Sequence, residues 1–252
     1  MNRMETILVG TCGWSYKDWE GHFYPKGVSA GDYLSYYSER FPVVEVDSTF
    51  YGSPRPQMVQ GWRDKTPEPF KFSLKVPQTI THEKLLVDCE KELEEFLSAV
   101  RILGSKLLCC VLQFGFFNSK VFASLNAFLD RLGPFLELWP KDVPLAVEIR
   151  NKYWMKKQFS DLLRRHGVGL CIHDADDHTT PMEITAAFTY IRLRRSGYTH
   201  EQRRQWQERI RSWSSEGVEV FAYIKHEDNP NAPFIALDFA KDLRDSFLPG
   251  PV

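Results

Sequence analysis

The residues best suited to chemistry sit where short apolar runs end. The run Val43 to Asp47 supplies Glu45 and Asp47, Phe70 to Lys75 ends in a lysine, and Leu107 to Phe114 carries Gln113. Pro144 to Arg150 finishes with Glu148 and Arg150, and Val168 to Ile172 runs into His173 and Asp174. Ala187 to Leu193 gives Arg192 with Arg194 just beyond, and Val218 to Lys225 gives Tyr223 and Lys225. Side chains alternate between the faces of a strand, so Leu145, Val147 and Ile149 share one face, while Ala146, Glu148 and Arg150 share the other. Packing alone gives a core strand no reason to finish in charge, because burying an unpaired charge is costly. A single strand-end Glu or Arg is more often half of a structural ion pair, and Glu148 with Arg150, or Glu45 with Arg192, would neutralise one another. Repetition over most of the strands lifts the set above its members.

The charge balance narrows the chemistry. Lys75, Arg150, Arg192, Arg194 and Lys225 outnumber the acids at these positions, which favours an anionic ligand such as phosphate or carboxylate. Glu45 and Glu148 form a pair able to divide acid and base roles if their pKa values are driven apart. His82 and His173 are auxiliary proton carriers, and a Schiff base through Lys75 or Lys225 is a third chemistry. Neither His-x-Glu nor His-Glu-x-x-His occurs, and several nearby cations oppose a divalent ion. No cofactor and no dedicated metal site are therefore expected, although His82, His173, Glu148 and Asp174 keep a divalent metal open.

About eight strand-like runs alternate with helical stretches, from Ile7–Thr11 to Val218–Lys225. Helices are expected over Gly31–Arg40, Gln57–Asp64, Asp88–Leu103, Lys120–Leu132, Met155–His166 (stopped by Gly167), His200–Trp213 and Ala232–Phe247. Continuously apolar strands separated by helices indicate a parallel sheet, and alternation over this length indicates an α/β (β/α)8 barrel in a single domain, residues 1–252. A doubly wound open sheet is weakened because Gly10-Thr11-Cys12-Gly13 lacks the remaining glycines of a phosphate loop. In such a barrel the strand ends collected above converge on one C-terminal mouth. The aromatics Trp14, Tyr16, Trp19, Phe50, Tyr51 and Trp154 either stack on a sugar or base there or form a hydrophobic collar.

Composition excludes some classes. The 252 residues are 43% hydrophobic and 26% charged, with a formal net charge of -1, so no global field points to nucleic acid or membrane. The 5 cysteines lack metal-type spacing, and Cys109 and Cys110 should face opposite sides of one strand; reduced core thiols are expected. No apolar stretch approaches a membrane span, and Met1 to Glu5 carries no apolar signal region, so a cytoplasmic location is expected.

The motifs resemble a known family. Gly10-Thr11-Cys12-Gly13-Trp14-Ser15-Tyr16-Lys17-Asp18-Trp19 with Phe23-Tyr24-Pro25, then Glu45-Val46-Asp47-Ser48-Thr49-Phe50-Tyr51, resemble the opening blocks of the YecE-like family of unknown function. Phe72-Ser73-Leu74-Lys75 with Ile80-Thr81-His82, and Val147-Glu148-Ile149-Arg150 with Trp154, are similar to further blocks in the same order. The resemblance implies a TIM barrel and kinship in shape with phosphodiester-cleaving and sugar-isomerase barrels, and it implies no activity. Many members carry Arg-x-His-Gly where this chain has Arg192-Leu193-Arg194-Arg195, and Tyr-x-Tyr-Phe-Asn-Asn where it has Phe221-Ala222-Tyr223-Ile224-Lys225-His226. Basic residues thus replace His and Asn, which strengthens the anion-binding reading.

The leading expectation is a hydrolase or lyase acting on a phosphorylated sugar, nucleotide or nucleic-acid fragment, with no membrane partner. Lys75, Arg150, Arg192 and Lys225 would hold the anion, with Trp14, Tyr51, Gln113, Trp154 and Tyr223 lining the ligand. Glu45, Glu148, His82 and His173 would move protons. The rivals are a non-catalytic nucleotide or single-stranded nucleic-acid module using the aromatic loop with Arg194-Arg195, and a structural partner protein.

Overall fold

Period-two alternation sorts the strand side chains into two separate cores. In the computed structural model, described for residues 7–225 and 229–245, eight parallel strands close into a barrel in sequence order. They are β1 (Ile7–Cys12), β2 (Val43–Val46), β3 (Lys71–Lys75), β4 (Leu107–Phe114), β5 (Leu145–Ile149), β6 (Gly169–Asp174), β7 (Phe188–Leu193) and β8 (Glu219–Ile224). Closure is made by β1 pairing with β8, Ile7 against Val220 through Thr11 against Ile224. Leu145, Val147 and Ile149 of β5 face outward into the large core beneath the helices, whereas Ala146 faces the barrel interior. Cys109 and Cys110 divide in the same way, inward and outward, and all five cysteines are buried free thiols.

Seven α-helices cover the barrel among the described residues: α1 (Tyr33–Ser38), α2 (Pro56–Asp64), α3 (Glu90–Val100), α4 (Leu125–Leu138), α5 (Lys157–His166), α6 (His200–Ser215) and α7 (Ala232–Asp245). Each forms where apolar residues recur at helical spacing; Leu93, Phe96, Leu97 and Val100 of α3 are all buried. Gly167 ends α5 in the left-handed conformation, φ 65°, which a glycine adopts without Cβ strain. Helix α6 opens with a complete capping box between Thr199 and Gln202. The fourth helix differs from the expected Lys120–Leu132. Ser124 caps its start by accepting from the Ala127 N–H, and Phe135 and Leu136 extend its buried face past Pro134. The connection from β6 to β7 contains no helix, since its Asp, Thr and Pro residues offer no apolar stripe.

Inside the barrel, an apolar floor of Val43, Cys109, Val111, Ala146, Cys171, Phe188 and Phe221 fills the lower layers. One layer higher, strand register places Cys12 beside Glu45, Glu45 beside Ser73, Gln113 beside Glu148, His173 beside Arg192, and Arg192 beside Tyr223. The polar residues thus gather at the C-terminal end of the strands. The N-terminal aromatic loop packs as a collar, with Trp19, Phe23 and Tyr24 buried and Tyr24 stacked on Tyr33 at 4.1 Å. Met1 to Glu5, His226 and the stretch beyond Asp245 up to Phe247 lie outside the described residues. Among those described, no helix is long and apolar enough to cross a membrane.

Candidate functional site

Arg192 is the centre of the polar layer. Its side chain is 1% exposed, and Glu45 and Glu148 beside it are fully buried. Its Nη1 donates to Glu148 Oε2 at 2.6 Å and to Gln113 Oε1 at 3.1 Å. Its Nη2 donates to Glu45 Oε1 at 2.7 Å and to Asp47 Oδ1 at 3.3 Å. Tyr190 donates to the other Glu45 oxygen at 2.5 Å. Such charge-assisted bonds suit the planar guanidinium, which reaches acids on two sides at once. Glu45 and Glu148 share one guanidinium between them, and Arg192 is consumed by that pairing rather than offered to a ligand.

The two carboxyls nevertheless differ. Burial raises Glu45, and the Arg192 charge only partly offsets it, with Asp47 adding to the rise. Burial would raise Glu148 too, but Arg192, His173 and Arg150 outweigh it and hold Glu148 well below the usual carboxylate range. Environments have thus pushed two chemically identical groups in opposite directions.

Nearer solvent lies a second tier. Arg150 donates through Nε to Glu148 Oε1 at 3.2 Å and keeps 39% of its side chain exposed. Lys225 approaches Asp47 at 3.7 Å. His173 is held neutral, with its pKa lowered to about 4 chiefly by burial and further by Arg192, Arg150 and Arg194, against the opposing pull of Glu148. Arg150, His173, Arg194 and Lys225 line a cleft of about 450 Å³ together with Asp176, Asp177 and His178 of the β6–β7 connection. Asp176 is engaged by the Ser196 N–H at 3.1 Å.

Lys75 and His82 occupy another sector. The Thr49 hydroxyl donates to the Lys75 carbonyl at 2.6 Å, docking the turn after β2 on the end of β3 and setting Phe50 under the lysine. Lys75 Nζ stands 3.8 Å from the Phe50 ring centroid. His82 packs edge-on against Phe50 and Phe117, each 5.2 Å away, and its Nδ1 lies 2.7 Å from the Thr81 hydroxyl. Burial, Lys75 and Arg150 all lower its pKa.

Several expected ligand contacts fall elsewhere. Tyr223 is fully buried beside Arg192, paired with the Ser73 hydroxyl at 2.6 Å and stacked on Tyr190. Trp154 is buried outside the barrel, stacked on Phe128 at 5.1 Å, and Trp14 packs edge-on against Trp62. Tyr51 is 77% exposed. Asp174 is a structural anchor for the loop after β7: Arg195 grips it with Nε and Nη2, and Trp206 donates to it at 3.0 Å. Sequence reading passed over Cys12, Ser73 and Tyr190, although the alternation that exposed Glu148 also points these three inward.

Cys12, Glu45 and Asp47 bring one ligand atom each within 4.8 Å of the others, a spacing a metal would accept. Arg192 Nη2 already lies 2.7 Å from Glu45, 3.3 Å from Asp47 and 3.9 Å from Cys12 Sγ. A guanidinium stands where the cation would be, and burial pushes the Cys12 thiol pKa well up, so the donor set does not fit a divalent ion.

Comparison with known proteins agrees with the fold and the motifs. The model of a family described as protein of unknown function DUF72 matches residues 8–250. YecE of Escherichia coli K12 is 30% identical over 152 residues, 60% of this chain and 51% of its own length. YunF of Bacillus subtilis is 31% identical over 163 residues, 61% of this chain and 54% of its own. The chain spans about half the length of the curated relatives it matches. A DUF72 crystal structure from Thermotoga maritima superposes with a TM-score of 0.80 at 25% identity, covering 95% of this chain and 99% of that one. One from Enterococcus faecalis gives 0.72 at 23% identity, covering 95% and 98%, a likeness of fold alone. With its eight-stranded barrel and its motifs in register, the chain belongs to the DUF72 family, the YecE-like proteins of unknown function.

Proposed function

We propose that the protein is an enzyme of acid/base chemistry, a hydrolase or lyase, acting on a small phosphorylated ligand at the C-terminal mouth of the barrel. The observation that carries this reading is the cleft of about 450 Å³ on which Arg150, Arg194, Lys225 and the neutral His173 converge. Arg150, Arg194 and Lys225 hold the anion, with Lys75 adding positive potential from the neighbouring sector. Arg192 takes a different role from the one its position suggested: it fixes Glu148 as a permanent anion beneath His173. A bound phosphate opposes the cationic field that depresses His173 and so moves the imidazole back towards the range where proton transfer at neutral pH is efficient.

An activity screen over phosphorylated sugars and nucleotides tests this, comparing wild type with Glu148→Gln, which keeps the shape and removes the charge. Turnover of one phosphorylated class, lost in Glu148→Gln with binding retained, is expected. Turnover and binding both unchanged in that variant would remove the acid/base assignment.

A non-catalytic nucleotide or single-stranded nucleic-acid module is the second reading, favoured by the exposed rings of Tyr51, Phe116 and Tyr153. Arg195 is held by Asp174, and the two tryptophans Trp14 and Trp154 pack into the core outside the barrel, which weakens it. Steep loss of oligonucleotide binding with added salt would favour this module, because each phosphate contact releases counterions.

A further inference from the structure

Two buried lysines behave in opposite ways. Lys106 is 3% exposed and has a full set of acceptors: its Nζ donates to the Arg63 and Thr66 carbonyls at 2.7 and 2.6 Å. That is a structural lysine, with its burial offset by hydrogen bonds. Lys75 is 9% exposed, and among the described residues its ammonium has no hydrogen-bond or ion-pair partner. Its contact is the face of Phe50. Asp47, the acid that acts on it most strongly, is engaged by Arg192 and Lys225. A lysine on the inward face of a barrel strand, at the catalytic end and without an acceptor, is a functional-site candidate.

We propose that Lys75 is a carbonyl-reactive amine that forms an imine with the aldehyde or ketone group of a phosphorylated substrate. The inference rests on the anion-binding reading above for its phosphate and adds the carbonyl. In the step, the neutral Nζ lone pair attacks the carbonyl carbon and the C=O π electrons move to oxygen. Nζ loses its protons, the oxygen gains two and leaves as water, and a C=N bond replaces C=O. No oxidant or reductant is required. Lys225 is the poorer candidate because it is ion-paired with Asp47.

The ionisation of Lys75 agrees with this chemistry. Its pKa is lowered to about 8 by burial first and Arg192 second, against the opposing pull of Asp47, Glu45 and Glu148. The other titratable neighbour in its sector is His82, driven towards the neutral form by burial first and then by Lys75 and Arg150. At pH 7 the neutral fraction of such a lysine is roughly 300-fold that of an ordinary one. Phe50 lies against Nζ, and His82 and Phe117 continue the ring cluster, an apolar flank that favours the free amine.

The full chain would be incubated at pH 7 with dihydroxyacetone phosphate and sodium borohydride, digested, and each lysine's reduced adduct measured by mass spectrometry. Labelling of Lys75 at least 50-fold faster than the median surface lysine is expected, with loss of that fast phase in Lys75→Met. Labelling spread over surface lysines with Lys75 at or below their rate overturns the proposal, and wild type alone decides this whether or not the variant folds. Unphosphorylated dihydroxyacetone separates the two readings. Equal fast labelling by both reagents supports the reactive amine and removes the anion site. Phosphate-protected binding without any Lys75 adduct keeps the anion site and removes the imine.

Discussion

At the scale of single residues, Arg192 decides the character of the mouth. Two fully buried carboxylates share one guanidinium, with Tyr190 and Arg150 as secondary partners. Arg192→Met should leave Glu45 to the Tyr190 hydroxyl and Glu148 to Arg150, and cost about 3–5 kcal/mol, read as a lowered urea midpoint at pH 7. A loss below about 1 kcal/mol would show that the triad is not the keystone. His173 makes a second prediction. Its folded pKa of about 4 lies below its ordinary 6.5, so the unfolded chain binds more protons between those values. Its contribution is complete above pH 6.5 and is lost as pH falls towards about 4. Glu45, raised by burial, works against this slope, so the diagnostic is a difference between proteins. Stability of His173→Gln should fall less than that of wild type from pH 6.5 to 4, by on the order of 2 kcal/mol. Parallel curves in a pH series of urea titrations would contradict the assignment.

At the scale of elements, alternation within strands was the most legible signal. It placed Glu148 and Ala146 inward, Val147 and Ile149 outward, and Cys109 and Cys110 on opposite sides, because a strand has only two faces. Trp154 escaped that logic. It lies past the strand end, where a turn of 3₁₀-helix carries it to the outer layer against Phe128, and no periodicity reports on such a turn. Pairing was half legible. The strand ends offered Glu45 with Arg192 and Glu148 with Arg150 as ion pairs, and both form, but that one guanidinium bonds both carboxylates follows only from barrel closure. Gly10 tests the closeness of the strands. A Cβ there would meet the Val43 carbonyl oxygen at 2.1 Å, a clash with backbone rather than with a movable side chain. Gly10→Ala should cost about 1–3 kcal/mol or more through displacement of β1 from β2, seen as a lowered melting temperature. An unchanged melting temperature would mean that β1 is free to shift.

The whole molecule was read correctly as a (β/α)8 barrel because helix and strand periods alternate along the chain and no run breaks the parallel connection rule. The fold fixes where a site can be but not what it binds. Lys75, Arg150, Arg192, Arg194 and Lys225 gather with Glu45, Asp47 and Glu148 at one end; both Nη groups of Arg192 are taken up by the acids, while Arg150, Arg194 and Lys225 line the cleft. The most direct measurement is therefore thermal shift of wild type and Arg150→Ala against inorganic phosphate, sugar phosphates, nucleotides and short oligonucleotides. At a hundred times its dissociation constant, a ligand adds about 2.7 kcal/mol of stability, a readily visible rise in melting temperature. The account predicts stabilisation by one phosphorylated class, strongly reduced in Arg150→Ala. No shift with any anion, or an equal shift in both proteins, would contradict an anion site at the barrel mouth.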